Sequence, residues 1–292
     1  MDGRSEVTKL LNDISANPWI FLKEYIEYFE KMKNRLLKNI SNVFDEKGED
    51  SVHDMRTSCR RIEASIDFLE GFSKRESSKK AKKKVNKILK KSNKPRDYQV
   101  HLEFLMKIEE QNNEIIDYFK KRYSKEKEKL KSYLSSLKTS ELDHLLESCL
   151  SFLVFDFVQN FQINDPYFDN LYKKEFKEVY EDFKNTDRSD DKKLHKIRIK
   201  VKDLRYKTEI LGASKGETLP EEDMFKQIQD ILGTHHDLII LKKKLVKKFQ
   251  EDNIKALLKE IDKEINLLQG KIDVGVSEIF EKLYDNICSE KA

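Results

Sequence analysis

The sequence predicts an all-α protein built from internally duplicated helical bundles. Only 8 glycines and 4 prolines interrupt 292 residues, and 38% of the residues are charged, a composition typical of long helices rather than of turn-rich sheets. Two sequence blocks also occur twice, in the same order. We therefore expect a single domain of two halves with pseudo-two-fold symmetry, approximately residues 18–164 and 165–292.

The first repeated block carries a histidine followed by basic residues. It reads VHDMRTSCRRIEASIDFLEG at residues 52–71 and LHKIRIKVKDLRYKTEILGA at residues 194–213, and the alignment needs no gap. Apolar and basic positions are both kept. The matched basic pairs are His53 with His195, Arg56 with Arg198, and Arg60 with Lys202.

The second block follows the first in each half. It occupies residues 85–105 and 225–245, and its apolar positions are also kept. The helix breakers Asn93 and Pro95 oppose Gly233 in this alignment, which predicts a turn inside each copy. Each half is therefore expected to contain helix, turn, helix, turn, helix.

Helix boundaries can be predicted from polar segments. Residues 71–78 and 212–220 contain glycine and predict helix ends after the first block. Asp97 and Asp237 are expected to cap the next helix, because a carboxylate accepts first-turn amide protons. The polar segment 185–191 is the expected linker between the halves, with residues 165 and 166 as an alternative boundary. Further helices are predicted at residues 18–43, 98–123, 165–183 and 253–287.

Cysteine spacing and hydropathy exclude several classes of protein. Cys59, Cys149 and Cys288 are far apart, so we expect neither a metal site nor a disulfide framework, and no cofactor. The most apolar stretch, residues 150–161, is shorter than the roughly 20 residues of a membrane span and predicts a buried helix. The N-terminal residues lack a signal pattern, which favours a cytoplasmic protein.

Positive charge is concentrated in two segments, although the net charge is only +4. Residues 74–96 contain twelve Lys or Arg and one acid, and residues 192–207 contain eight and one acid. Such segregation indicates an anionic partner.

The basic residues of the first block would share one face of a helix. The first-half stripe comprises His53, Arg56 and Arg60, and the second-half stripe comprises His195, Arg198, Lys202 and Arg205. These fall within arcs of about 60° and about 80°. Apolar residues occupy the adjoining arc, so each stripe would border the core and line a groove. Arginine forks onto phosphate oxygens and histidine adds proton-dependent affinity, which indicates a dense anionic polymer as ligand.

The lysine run at residues 79–91 leaves its binding face open. Helical spacing puts Lys79, Lys83, Lys87 and Lys90 on one side and Lys80, Lys84 and Lys91 on another. Residues without positive charge stand at the matching positions of the second half. We favour Lys83, Lys87 and Lys90 as the lysines that face the anion.

These residues resemble the CHAD domain, the conserved-histidine α-helical domain. The family's pattern is a histidine, an arginine three positions on, and further basic residues one turn beyond. VHDMR from Val52 and LHKIR from Leu194 carry this pattern, and the second blocks, through Arg96-Asp97 and His236-Asp237, are similar to the family's second motif. The resemblance covers about residues 20–290. The further basic residues are Arg60 and Arg61 in the first half, and Lys202 and Arg205 in the second.

The resemblance implies a pair of helical bundles around a basic central groove or pore that binds inorganic polyphosphate without catalysis, with association to polyphosphate granules in some members. Phosphate or sulfate ions could mimic the ligand, and no membrane partner is implied. The expected polyphosphate-binding residues are His53, Arg56, Arg60, Arg61, Lys83, Lys87, Lys90, Arg96, His195, Arg198, Lys202, Arg205 and His236.

The sequence departs from the family pattern at several positions. Glu63 stands at the position of Arg205. Ser92 and Asn93 replace the usual Leu-Gly pair. These departures are expected to alter the affinity for the polyanion.

Three other functions stay open. A single-stranded nucleic acid would make the same phosphate contacts, although the stripes offer only Tyr206 as a platform for base stacking. A metal-dependent phosphohydrolase is suggested by two His-Asp dipeptides, but Lys196 and Arg96 interrupt this pattern in the opposite halves, whereas a metal site needs all its ligands. A helical scaffold for an acidic protein is the third.

Overall fold

The regular structure in the described part of the chain is helical. A computed structural model describes residues 18–45, 50–73, 75–108, 113–162, 167–213, 216 and 218–288. The fold class predicted from sequence, all-α, is confirmed. In chain order the helices are α1 (Pro18–Asp45), α2 (Ser51–Glu70), α3 (Glu76–Leu105), α4 (Asn113–Ser135), α5 (Thr139–Asn160), α6 (Tyr167–Lys184), α7 (Asp191–Ala213), α8 (Pro220–Lys248), α9 (Glu251–Lys271), a π-helical segment (Ile272–Val276) and α10 (Ser277–Cys288).

The chain divides into two compact units, which we call the first half (Trp19–Ile163) and the second half (Asn164–Ala292). In the first half, α3 packs against α2, α4 and α5. In the second half, α8 packs against α7, α9 and α10. The third helix of each half is thus the one that its neighbours share.

The apolar arc beside each stripe forms part of the core of its half. Every one of these side chains is buried, because helical spacing places them together on the face that leaves water. They are Val52, Met55, Cys59, Ile62, Ile66 and Leu69 in α2, and Leu194, Ile197, Val201, Leu204 and Leu211 in α7.

The turns predicted inside the second block are wrong. α3 continues through Pro95 and α8 continues through Gly233, so Asp97 and Asp237 lie within helices and cap neither. Buried apolar residues recur on both sides of these positions, and burying one continuous face outweighs the local preference of proline and glycine to end a helix. The second turn of each half comes later, after Leu105 and after Lys248.

Other predicted boundaries are confirmed in part. The segments after the first block are helix ends, since α2 ends at Glu70 and α7 ends at Ala213. The polar segment 185–191 connects α6 to α7 inside the second half, so it does not link the halves. The helix expected at residues 98–123 is also wrong, because α3 ends at Leu105 and α4 begins at Asn113.

The apolar stretch at residues 150–161 is only partly buried. Leu153 and Phe157 lie in the core, whereas Phe152 and Phe155 are 39% and 53% exposed. Arg75 covers these two rings, with its guanidinium carbon 4.8 and 5.5 Å from their centroids, and it donates to both carboxylate oxygens of Asp156. None of the described helices is long and apolar enough to span a membrane.

Candidate anion-binding site

Both stripes lie at the edge of the apolar core, as predicted. On α7, the stripe residues His195, Arg198, Lys202 and Arg205 are partly exposed, while Ile197, Val201 and Leu204 between them are buried. On α2, Arg56 and Arg60 are partly exposed and His53 is exposed. Helical periodicity accounts for this placement, because a residue beside the buried face lies at the boundary with water.

His195 of α7 stacks against His236 of α8, with ring centroids 4.2 Å apart and an interplanar angle of 28°. Burial first, and then the neighbouring His195 and Arg198, lower the pKa of His236 to about 4. Burial and Arg198 also lower the pKa of His195. The imidazoles are therefore uncharged near neutral pH, and Nδ1 of His195 is buried without a hydrogen-bond partner in the described residues.

The guanidinium of Arg198 lies directly against the backbone of α8. A Cβ atom at Gly233 would stand 3.4 Å from Nε and 3.6 Å from Nη2 of Arg198. Nε of Arg198 is buried and has no hydrogen-bond partner among the described residues. A Cβ atom there would make ordinary van der Waals contact with the guanidinium, so what glycine changes is that it offers Arg198 no side-chain acceptor.

Arg205 lies two turns further along α7. Its Nη1 donates to Oε1 of Gln229 at 3.2 Å, and its guanidinium carbon lies 5.3 Å from the centroid of the Tyr206 ring. Nε of Arg205 is again buried without a partner in the part of the chain that the structure describes. Tyr206 is only 4% exposed, so its ring has no open face for a base.

In the first half, Arg56 joins α2 to α3. Its Nη1 donates to the backbone oxygen of Leu89 at 2.9 Å, to Oγ of Ser92 at 2.8 Å and to Oδ1 of Asn93 at 2.7 Å. Burial, together with the nearby cation of Arg60, lowers the pKa of Arg56 to about 10. Nη1 of Arg56 therefore already has hydrogen-bond acceptors within the protein.

Acidic side chains contact other basic residues of the first half. Nη1 of Arg60 lies 2.9 Å from Oε2 of Glu63. Nη1 of Arg96 lies 3.6 Å from Asp50 and 3.4 Å from Glu103. The Nε atom of Arg60 is nevertheless buried without a hydrogen-bond partner in the described chain.

The favoured lysines lie on the exposed surface of α3. Lys83, Lys87 and Lys90 are all exposed. Lys87 Nζ lies 5.5 Å from the ring centroid of Tyr133 on α4, and Lys91 Nζ lies 5.8 Å from the same ring. The preference for one face of the lysine run over the other therefore stays a prediction.

A concave region of about 1000 Å³ adjoins the other side of α8. Its lining includes His235 and two lysines whose charges are already paired, Lys242 with Asp262 at 2.5 Å and Lys243 with Asp191 at 3.4 Å. This mixture of charges makes the region a poorer anion site than the second-half stripe. Among the described residues, no group of three or more His, Cys, Asp or Glu could hold a metal ion.

Sequence reasoning missed the residues that surround the arginines. Gln229, which accepts a hydrogen bond from Arg205, carries no motif of its own. The Ser92-Asn93 departure was visible, but its contact with Arg56 depends on how α2 and α3 pack. The second motif placed His236 in the site, and the repeat offered no sign of its stacking on His195.

The described part of the chain is all-α, and its repeated sequence blocks place a histidine-arginine stripe on the second helix of each half. Together, these features are those of one class of helical proteins, which comparison with family models identifies. The model of the CHAD domain family matches residues 27–246. The chain therefore belongs to the CHAD domain family.

A solved structure shows the same fold. The crystal structure of the CHAD domain from the plant Ricinus communis superposes with a TM-score of 0.63 at 13% sequence identity, over 93% of each chain. Comparison with curated proteins finds no match. The likeness of structure at this identity concerns the fold alone.

Proposed function

We propose that this protein binds inorganic polyphosphate without converting it. One observation carries the proposal: buried donor nitrogens of the stripes lack partners within the described residues. Buried polar groups are nearly always hydrogen-bonded, so an outside acceptor is the natural partner for these. The donors are Nε of Arg60, Arg198 and Arg205, and the ring nitrogen Nδ1 of His195 also lacks a partner.

Phosphate oxygens suit these donors. A hydrogen bond with an ionised partner contributes about 1.5–3 kcal/mol, and leaving a buried donor unpaired costs about 1–3 kcal/mol. Successive stripe residues are about 5 Å apart along a helix axis, so one flexible phosphate chain can contact several of them. We propose binding rather than hydrolysis because the stripes supply hydrogen-bond donors. Each His-Asp dipeptide occurs in one half only and is not kept at the matching position of the other half.

Single-stranded nucleic acid is the principal alternative. It would meet the same cations, but its binding normally uses aromatic side chains on which bases stack. The one aromatic residue in the stripes, Tyr206, is buried. This burial favours polyphosphate. As the family resemblance implies, we further propose that the protein acts in the cytoplasm in association with polyphosphate granules.

The test is a competition titration of polyphosphate of graded length against single-stranded DNA and RNA. We expect polyphosphate to displace both nucleic acids. Combining Arg198→Gln with Arg205→Gln should weaken polyphosphate binding roughly a hundredfold, since two charge-assisted contacts are lost.

Lys263→Gln is the matched control, because Lys263 lies on α9 of the same half and its side chain is 79% exposed. It should bind like the unaltered protein, and circular dichroism should show unchanged helicity in all variants. Preference for nucleic acid, or full polyphosphate binding by the double variant, would contradict the proposal.

A further inference from the structure

The two stripes differ in what surrounds their matched arginines. Arg56 and Arg198 are equivalent in the repeat, yet Arg56 meets Ser92 and Asn93 whereas Arg198 meets Gly233. The residue matched to Ser92 is Leu232, which has no acceptor in its side chain. One arginine therefore has a side-chain hydroxyl and amide beside it, and the other has neither.

A second difference concerns the charge of the residues that follow the matched arginines along each helix. In the first half, Arg60 forms an ion pair with Glu63. The residue matched to Glu63 is Arg205, whose Nη1 contacts only the neutral amide of Gln229 among the described acceptors. An approaching anion thus meets a carboxylate in the first half and a second guanidinium in the second half.

A third difference concerns the second motif. Arg96 lies near Asp50 and Glu103. The matched residue is His236, an uncharged imidazole stacked on His195. Acids thus neutralise a first-half cation here, while the second half presents two imidazoles beside Arg198.

We infer that the second-half stripe is the principal phosphate-binding site and that the first-half stripe is partly blocked by its own acceptors. To bind a phosphate through Nη1, Arg56 must give up contacts with Ser92 and Asn93, and the ligand must overcome repulsion from Glu63. Arg198 and Arg205 have buried Nε donors to offer without breaking a side-chain contact at those atoms. The unpaired Nε of Arg60 leaves the first-half stripe weak rather than inactive.

This inference rests on the proposed function, and it assigns Asn93 and Glu63 the role of lowering affinity. Asn93 is exposed on α3, and Glu63 is partly exposed on α2. Neither lies in the apolar core, so both can be replaced without loss of buried packing.

Paired single substitutions test the inference, with affinity for tripolyphosphate measured by calorimetry. Arg198→Gln should weaken binding on the order of tenfold or more, because it removes a charge-assisted contact. Arg56→Gln should weaken binding by less than about threefold. Equal losses from the two variants would overturn the inference while leaving the proposed function intact.

A second set of variants changes the residues beside the arginines rather than the arginines themselves. This test does not depend on the folding of the Arg56 variant. Asn93→Gly with Glu63→Gln should strengthen binding roughly threefold to tenfold by freeing Arg56 and Arg60. Gly233→Asn should weaken it similarly, because an amide would then sit beside Arg198. If Gly233→Asn bound tripolyphosphate more tightly than Asn93→Gly with Glu63→Gln, the inference that the two stripes differ in affinity would be refuted. If the unaltered protein did not bind tripolyphosphate, the proposed function itself would be refuted.

Discussion

At the scale of single residues, the stacked pair of His195 and His236 has the sharpest dependence on pH. Each ring lies between α7 and α8, and the Arg198 cation disfavours a second positive charge beside it. Asp191 opposes this effect at His236, and Lys243 reinforces it. The rings therefore gain protons only in acid, or when a bound anion supplies compensating charge.

Acid should destabilise the protein partly through His236. Its pKa is about 4 in the folded chain and about 6.5 in an unfolded chain. Between these values the unfolded chain binds more protons, so this stability is fully present above about pH 6.5 and is lost as the pH falls toward 4. By pH 5 the loss should reach about 1–2 kcal/mol, after allowance for the partial exposure of the ring.

Urea unfolding near neutrality and in mild acid measures this effect. His236→Gln should lose less stability than the unaltered protein over the same pH interval, because glutamine does not titrate. If both proteins lost the same free energy of unfolding, the lowered pKa of His236 would be wrong.

The sequence predicted which residues occupy each stripe but not what each one contacts. Periodicity alone placed Arg56 and Arg198 beside the core, since the apolar arc fixes the helix orientation. Their different surroundings depend on residues more than thirty positions away, such as Asn93. No local pattern encodes the register between α2 and α3 that brings these residues together.

At the scale of helices, α6 and α7 are joined by two ion pairs of different depth. Lys207 is 3% exposed and contacts Glu175 at 2.5 Å and Asp203 at 2.9 Å. Lys200 contacts Asp182 at 2.6 Å on the surface, where its side chain is 45% exposed. The same two helices thus provide an internal comparison of buried and exposed pairs.

Lys207→Ala should destabilise the protein by about 3 kcal/mol, because it leaves the partly buried Glu175 carboxylate without its cation. The matched control, Lys200→Ala, should cost less than about 1 kcal/mol, since solvent screens the exposed pair. Denaturant titration of both variants gives the comparison. Equal destabilisation would show that burial does not govern the strength of this helix pairing.

The helices also show where local rules fail. Segments that contain glycine and polar residues marked the ends of α2 and α7 correctly, because these residue types disfavour continuation of a helix. Pro95 and Gly233 misled the prediction, since each lies within a continuous apolar face whose burial keeps the helix intact.

At the scale of the whole molecule, a net charge of +4 understates the attraction for a polyanion. Basic residues gather in two segments, and acids lie mainly elsewhere. Binding that releases condensed counterions from a polyanion weakens linearly in logarithmic salt concentration, with a slope set by the number of neutralised phosphates.

We therefore expect polyphosphate affinity to fall on the order of tenfold or more between about 50 and about 200 mM salt. The double variant Arg198→Gln with Arg205→Gln should show a shallower slope than the Lys263→Gln control. Titrations across this range give both slopes. Identical slopes would mean that these arginines do not contact phosphate.

The π-helical segment Ile272–Val276 fixes the rotational phase of the chain's last described helix. Buried residues from Leu268 to Phe280 recur at three successive intervals of four, through Ile272 and Val276. A regular α-helix would turn this row by about 120° away from the core over that distance, and the wider π turns absorb the excess. Deleting one residue here would allow a regular α-helix to keep the same buried row, because eleven residues turn the row by only about 20°, and Phe280 would stay on the face that packs on α6. The segment therefore accommodates one residue more than a regular α-helix would need to keep its buried row facing the core.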